Sequence, residues 1–86
     1  MRRGAPTVTL YGKPECHLCD EARAVLERVR REVPFELEER DITLDEELHR
    51  RYLERIPVVA VDGEEMFELF VDEAGLRGRL GRVVRP

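Results

Sequence analysis

The spacing of apolar residues switches between a two-residue and a helical period along the chain, and each switch marks an element. Thr7-Val8-Thr9-Leu10-Tyr11 is rich in β-branched and aromatic residues and gives way to Gly12 and Pro14, which predicts a first strand. From Cys16 onward Leu18, Ala22, Val25, Leu26, Val29 and Val33 recur at helical spacing until Pro34, which predicts a helix with one buried stripe. Phe35 and Leu37, alternating with Glu36 and Glu38, then Ile42 beyond a charged patch, predict a second strand with one wet face.

A second helix is expected from about Leu44 or Asp45 to Leu53. Asp45 and Glu46 suit the positive end of its dipole, Arg50, Arg51 and Arg55 the negative end, and Leu44, Leu48 and Tyr52 form a thin apolar stripe. Val58-Val59-Ala60-Val61 and Met66-Phe67-Glu68-Leu69-Phe70 flank Asp62-Gly63, a strong hairpin signal that makes them antiparallel neighbours. Asp72 is placed to cap a third helix carrying Ala74, Leu76, Leu80 and Val83, although Gly75, Gly78 and Gly81 weaken it. The order is β-α-β-α-β-β-α. Its first three elements form a parallel crossover and the hairpin adds antiparallel strands to the same sheet, an α/β layered fold with a mixed four-stranded sheet and three helices.

Length and composition narrow the classes. Eighty-six residues make room for one small domain, expected to span 1–86 with a loose start at Met1–Ala5. With 42% apolar and 40% charged residues the chain has both a core and an ionic surface, which excludes a disordered chain. No run approaches the roughly 18 to 20 apolar residues of a membrane span, and no signal-peptide-length apolar segment follows the basic start, so a cytoplasmic location without a membrane partner is expected. A net charge of −4 and 6% aromatic residues disfavour nucleic acid as a partner.

The two cysteines, Cys16 and Cys19, change the picture most. A bridge across two intervening residues closes almost no loop, so chain stability is a poor reason for the pair. Cys16-His17-Leu18-Cys19 falls where the first strand hands over to the first helix, the context of a thioredoxin-like redox motif. Unpaired N–H groups and the dipole at a helix start favour a thiolate at Cys16, the reactive form. Cys19, close to one turn on, comes round beneath it, where it can displace a mixed disulfide and where lower exposure holds it in reserve. His17 either supports the thiolate through partial positive charge or is a solvated first-turn residue; Asp20 and Glu21 suit a helix start, and His49 suits an exposed helix face.

The stretch from Leu10 to Ala22, with Lys13-Pro14-Glu15 ahead of the cysteines, Arg55-Ile56-Pro57-Val58 and the Asp62-Gly63 hairpin, resembles the glutaredoxins, and more closely the short bacterial glutaredoxin-like proteins. The resemblance implies a thioredoxin-like, glutaredoxin-type fold and a small thiol–disulfide oxidoreductase serving cell redox homeostasis and electron transport, with Cys16 and Cys19 catalytic. It also implies a cis proline at Pro57 facing the cysteines, with Ile56 and Pro57 forming a shelf for a substrate or glutathione backbone, and Lys13 supporting the thiolate or meeting a glutathione carboxylate. The chain departs from the family between the cysteines, where His17 and Leu18 replace the usual proline and aromatic residue. It departs again after the fourth strand, where Leu69-Phe70-Val71-Asp72 replaces a Gly-Gly and acidic motif, leaving only Asp72 and Glu73 for the acidic part.

The expected partners are therefore disulfide-containing proteins, with glutathione or a flavoprotein disulfide reductase as electron donor. No bound cofactor is required, glutathione being a possible reductant or co-substrate, and the chain is expected to be a monomer. The competing class is a metal-binding or redox-sensing module on the same fold. A tetrahedral zinc site wants four ligands, and the sequence adds only His17, trapped between the cysteines, and the distant His49, so zinc or an iron–sulfur cluster would need thiolates from two chains. No metal ligand is assigned.

Overall fold

The computed structural model describes residues 5–84. Its elements are β1 (Thr7–Gly12), α1 (His17–Glu32), β2 (Glu36–Asp41), a 3-10 turn (Ile42–Leu44), α2 (Glu46–Tyr52), β3 (Val58–Val61), β4 (Glu64–Glu68) and α3 (Glu73–Val84). The predicted order of strands and helices holds, with the 3-10 turn added. The expected loose start lies, Ala5 apart, outside the described residues, as does the side chain of Val83.

The sheet has four strands in the order β2-β1-β3-β4. A whole helix separates β1 from β2, and they pair in parallel from Thr7 opposite Glu36 to Gly12 opposite Asp41. β3 runs antiparallel to both β1 and β4. The turn between β3 and β4 is the predicted Asp62-Gly63, both with positive φ (+51° and +87°), as a tight type I′ hairpin turn demands. Central β1 and β3 supply the buried apolar residues, while the charged sequence of edge strand β2 discourages pairing with another chain.

Because successive strand residues face opposite ways, the sheet builds two separate clusters. Val8, Leu10, Val59 and Val61 pack against Ala22, Leu26 and Val29 of α1 and Leu76 and Leu80 of α3. On the other face Val58 meets Ile42, Tyr52, Ile56 and Cys19, with Tyr11, Cys16 and Leu48 partly buried beside them. Arg28 of α1 reaches Glu73 of α3 at 3.0 Å, and Arg77 of α3 reaches Glu32 at 2.9 Å, tying the two helices together at the surface.

Four expectations need correction. The second strand stops at Asp41: Ile42 is out of phase with Phe35 and Leu37, and it is buried against α2 rather than extending their face. Asp41 accepts the Thr43 N–H at 2.9 Å, and Asp45 accepts those of Glu47 at 2.9 Å and Leu48 at 3.1 Å. These two caps split the segment, so Leu44 ends the 3-10 turn, 84% exposed, instead of joining a helical stripe. β4 starts earlier and ends at Glu68, because Leu69 takes a left-handed φ of +75° and donates its N–H to the carbonyls of Pro57 (2.8 Å) and Arg55 (3.2 Å). Leu18 leaves the buried stripe of α1 and stands exposed beside the cysteines.

Candidate active site

Cys16 sits at the N-cap of α1, in extended conformation, at the end of a turn in which Glu15 has a positive φ of +58°. Its carbonyl accepts the Asp20 N–H at 3.0 Å, opening the helix, and its Sγ accepts the Cys19 N–H at 3.2 Å. The sulfur therefore occupies the place where an N-cap oxygen ordinarily satisfies a free backbone donor, a position that favours negative charge. Cys16 and Cys19 are joined as a disulfide with their Cα atoms 5.2 Å apart.

The two sulfurs have unequal surroundings. Cys16 is half-buried, whereas Cys19 is 1% exposed and packs among Ile42, Tyr52, Ile56 and Val58. Gly12, at the end of β1, makes this depth possible: a Cβ there would lie 2.9 Å from the Cys19 Sγ and 3.3 Å from its Cβ, closer than packed atoms tolerate. The sequence marked Gly12 only as strand punctuation. A strand-end glycine four residues ahead of a helix-capping cysteine was the available signal.

Ile56-Pro57 is cis, as the resemblance implied, and both residues are buried. Ile56 belongs to the cluster that holds Cys19 and borders Cys16. The Pro57 carbonyl is taken by the Leu69 N–H, but neither the N–H nor the C=O of Ile56 enters a backbone hydrogen bond among the described residues. Lys13 is exposed, enters no ion pair among the described residues, and lines a cavity of about 250 Å3 with Arg23, Arg40, Glu39 and Asp41. The structure thus brings Ile56 to the cysteine pair and leaves the Lys13 ammonium in solvent.

The remaining charges are largely committed to one another. Asp20 and Glu39 both pair with Arg23 at 2.9 Å, and these two bonds hold the guanidinium above its ordinary pKa. His17 is exposed, its Nε2 2.9 Å from Glu21 one turn along. Of the two candidate acids after β4, Asp72 stands exposed while Glu73 is held below the usual carboxylate range, chiefly by Arg28 and also by Arg77. Glu73 serves the α1–α3 contact. His49 lies on the exposed side of α2, as expected.

Sequence reasoning missed the aromatic and ionic group under α2. Tyr11 and Tyr52 rings lie 4.6 Å apart, and the Arg55 guanidinium stands 5.2 Å from the Tyr52 ring centre while pairing with Glu65 and Glu68. The Tyr52 hydroxyl donates to Glu65 at 2.7 Å. Burial, then the Glu65 carboxylate, hold the phenol above its ordinary pKa, so it stays a donor. Nothing in the one-dimensional pattern links these residues of β1, α2, β4 and the connection after α2. Among the described residues no group of three or more His, Cys, Asp or Glu side chains is placed to hold a metal ion, so a metal site here would need donors from a second chain. No described helix is long and apolar enough to cross a membrane.

Comparison with known proteins agrees with this geometry. The family model described as Glutaredoxin-like domain (DUF836) matches residues 7–81. The solution structure of protein Ne2328 from Nitrosomonas europaea is 30% identical, superposes with a TM-score of 0.80, and is matched over 93% of this chain and 96% of that one. An X-ray structure of a protein from X. campestris is 32% identical with a TM-score of 0.73, over 87% of this chain and 96% of the other. A thioredoxin from Halobacterium salinarum, at 17% identity and a TM-score of 0.71 over 96% of this chain and 78% of its own, shares the fold.

Proposed function

Because this chain belongs to the glutaredoxin-like domain family, we propose that it is a dithiol thiol–disulfide oxidoreductase, in which Cys16 attacks a substrate disulfide and Cys19 resolves the product. The fold and the bonded CxxC pair give it a thiol redox role. The finer reading rests on one observation. The accessible sulfur caps the helix start and accepts a backbone N–H there, while its partner is buried one turn below.

In the reduced protein the Cys16 thiolate attacks one sulfur of the substrate disulfide. That S–S bond breaks, the first substrate thiolate leaves and takes a proton from water, and a mixed disulfide remains on Cys16. Cys19 then loses its proton to solvent and attacks the Cys16 sulfur, forming the intramolecular bridge and releasing the second substrate thiol. Two electrons pass from the protein dithiol to the substrate. Glutathione or a flavoprotein disulfide reductase returns them, in a cytoplasm whose thiol pool keeps such pairs reduced. The open backbone groups of Ile56, with Pro57 behind them, suit an extended chain held beside Cys16, and Lys13 suits an anionic end of it.

Two variants test the division of labour. Cys16→Ser is expected to abolish reduction of a disulfide-linked peptide. Cys19→Ser is expected to accumulate a mixed disulfide on Cys16, seen as an adduct by mass spectrometry. Activity retained without Cys16, or no adduct without Cys19, would contradict the assignment.

A further inference from the structure

An apolar groove of about 240 Å3 starts at Leu18, one of the two residues between the cysteines. Leu18, Ala22 and Val25 of α1 form one wall, and Leu69, Phe70 and Val71 of the β4–α3 connection form the other. Five large apolar side chains stand exposed among the described residues, and three of them gather here: Leu18 at 45%, Leu69 at 46% and Phe70 at 69%. The left-handed turn at Leu69, unfavourable for a branched side chain, ends β4 just before Phe70. Sequence pattern alone placed both residues in that strand.

The dimensions and chemistry of the groove select an occupant. From Leu18 to Val25 the helix rises about 10 Å, the length of roughly three residues of extended chain. Neither the N–H nor the C=O of Phe70 enters a backbone hydrogen bond among the described residues, which leaves this lining residue a donor and an acceptor without a backbone partner. The single charge on the lining is Glu21, an anion, with no cation to receive a carboxylate. We infer that this groove is a substrate subsite that takes the segment flanking the reactive cysteine of a disulfide-bonded protein, with a large apolar side chain against Leu18 and Phe70, and that it disfavours small anionic disulfides. The inference rests on the oxidoreductase reading above and names its substrate class.

The test compares three disulfides with the full-length protein and a dithiol reductant to recycle it. The first is a disulfide-linked dimer of a peptide whose cysteine is flanked by leucine, phenylalanine and lysine. The second carries serines in place of the two apolar residues at the same charge, and the third is oxidised glutathione. The apolar peptide is expected to show a kcat/KM about tenfold above the serine peptide, the scale of one partly buried large side chain. Phe70→Ser should bring that ratio to about one, Phe70→Leu should keep most of it, and Leu44→Ser, an exposed apolar residue away from the groove, should keep all of it. The Cys16–Cys19 potential should stay the same in Phe70→Ser, which separates a subsite from an effect on the sulfurs. Equal kcat/KM for both peptides overturns the subsite and leaves the oxidoreductase standing. Failure to reduce any of the three overturns both. A dimer in sedimentation that Phe70→Ser dissociates, without a peptide preference, assigns the groove to a second copy of the chain and overturns the subsite.

Discussion

The two faces of the sheet do different work. On the side of α1 and α3, an aliphatic layer runs from Val8 and Leu10 through Leu26 and Val29 to Leu76 and Leu80, with no buried group able to do chemistry. On the side of α2 the cover is a short helix and a single 3-10 turn, and the cluster holds Cys19, Tyr52 and the Ile56 side chain. One helix serves both. The body of α1 is anchored in the inert layer by Ala22, Leu26 and Val29, while its first turn carries the sulfurs across to the other cluster. A reactive pair is thus held by a rigid element whose stability comes from residues it never touches, so stability and redox behaviour are separable by mutation.

The largest stability effect should come from the inert face. Leu26→Ala is expected to lower the unfolding free energy by about 3 kcal/mol in urea titration, through lost burial and a cavity. The potential of the Cys16–Cys19 couple should stay within about 30 mV of the parent, the equivalent of about 1.4 kcal/mol. A larger shift would join the two regions.

A smaller but more local effect is expected at Gly12. Gly12→Ala places a methyl 2.9 Å from the Cys19 sulfur, with the far side of that sulfur already packed. The cost, about 1–3 kcal/mol, should fall on Cys19 and appear as slower release of the mixed disulfide and a changed potential. Unchanged release and potential would show that Cys19 has room to spare.

Tyr52→Phe should do least. It removes the hydrogen bond to Glu65, a carboxylate held below its usual range first by Tyr52 and then by Arg55. Because Glu65 is partly exposed, the loss should stay under about 1 kcal/mol. A depressed carboxylate stabilises the fold above its unfolded-state pKa and loses that contribution as pH falls through the folded one. The gap between parent and variant should therefore be constant near neutrality and narrow below about pH 4. A gap that widens in acid would contradict this.

The sequence made legible what depends on local period and local chemistry. β1, α1, the Asp62-Gly63 turn and the placement of Cys16 at a helix start each follow from a few adjacent residues. What escaped depends on which sheet face a side chain reaches. Ile42 looked like a third apolar position of β2, yet its place in the alternation puts it on the opposite face, where α2 covers it. Phe70 looked like a strand residue, but the end of β4 is set by Leu69 bonding back to Pro57 and Arg55, a contact between separate segments. At the site, the cysteines and Ile56-Pro57 could be read from motif and resemblance. The fit of Gly12 to Cys19, the Tyr52–Arg55–Glu65 group and the groove beside Leu18 come only from packing.

The central claim is that Cys16 and Cys19 form a reversible redox couple poised for reduction of substrates. A titration of the pair against glutathione buffers, quenched with a thiol label and read by mass spectrometry, tests it most directly. The account predicts one two-electron transition between the potentials typical of thioredoxin and glutaredoxin, about −270 to −200 mV, with both cysteines changing together. Thiols that remain reduced throughout that range, or label independently of each other, would contradict it.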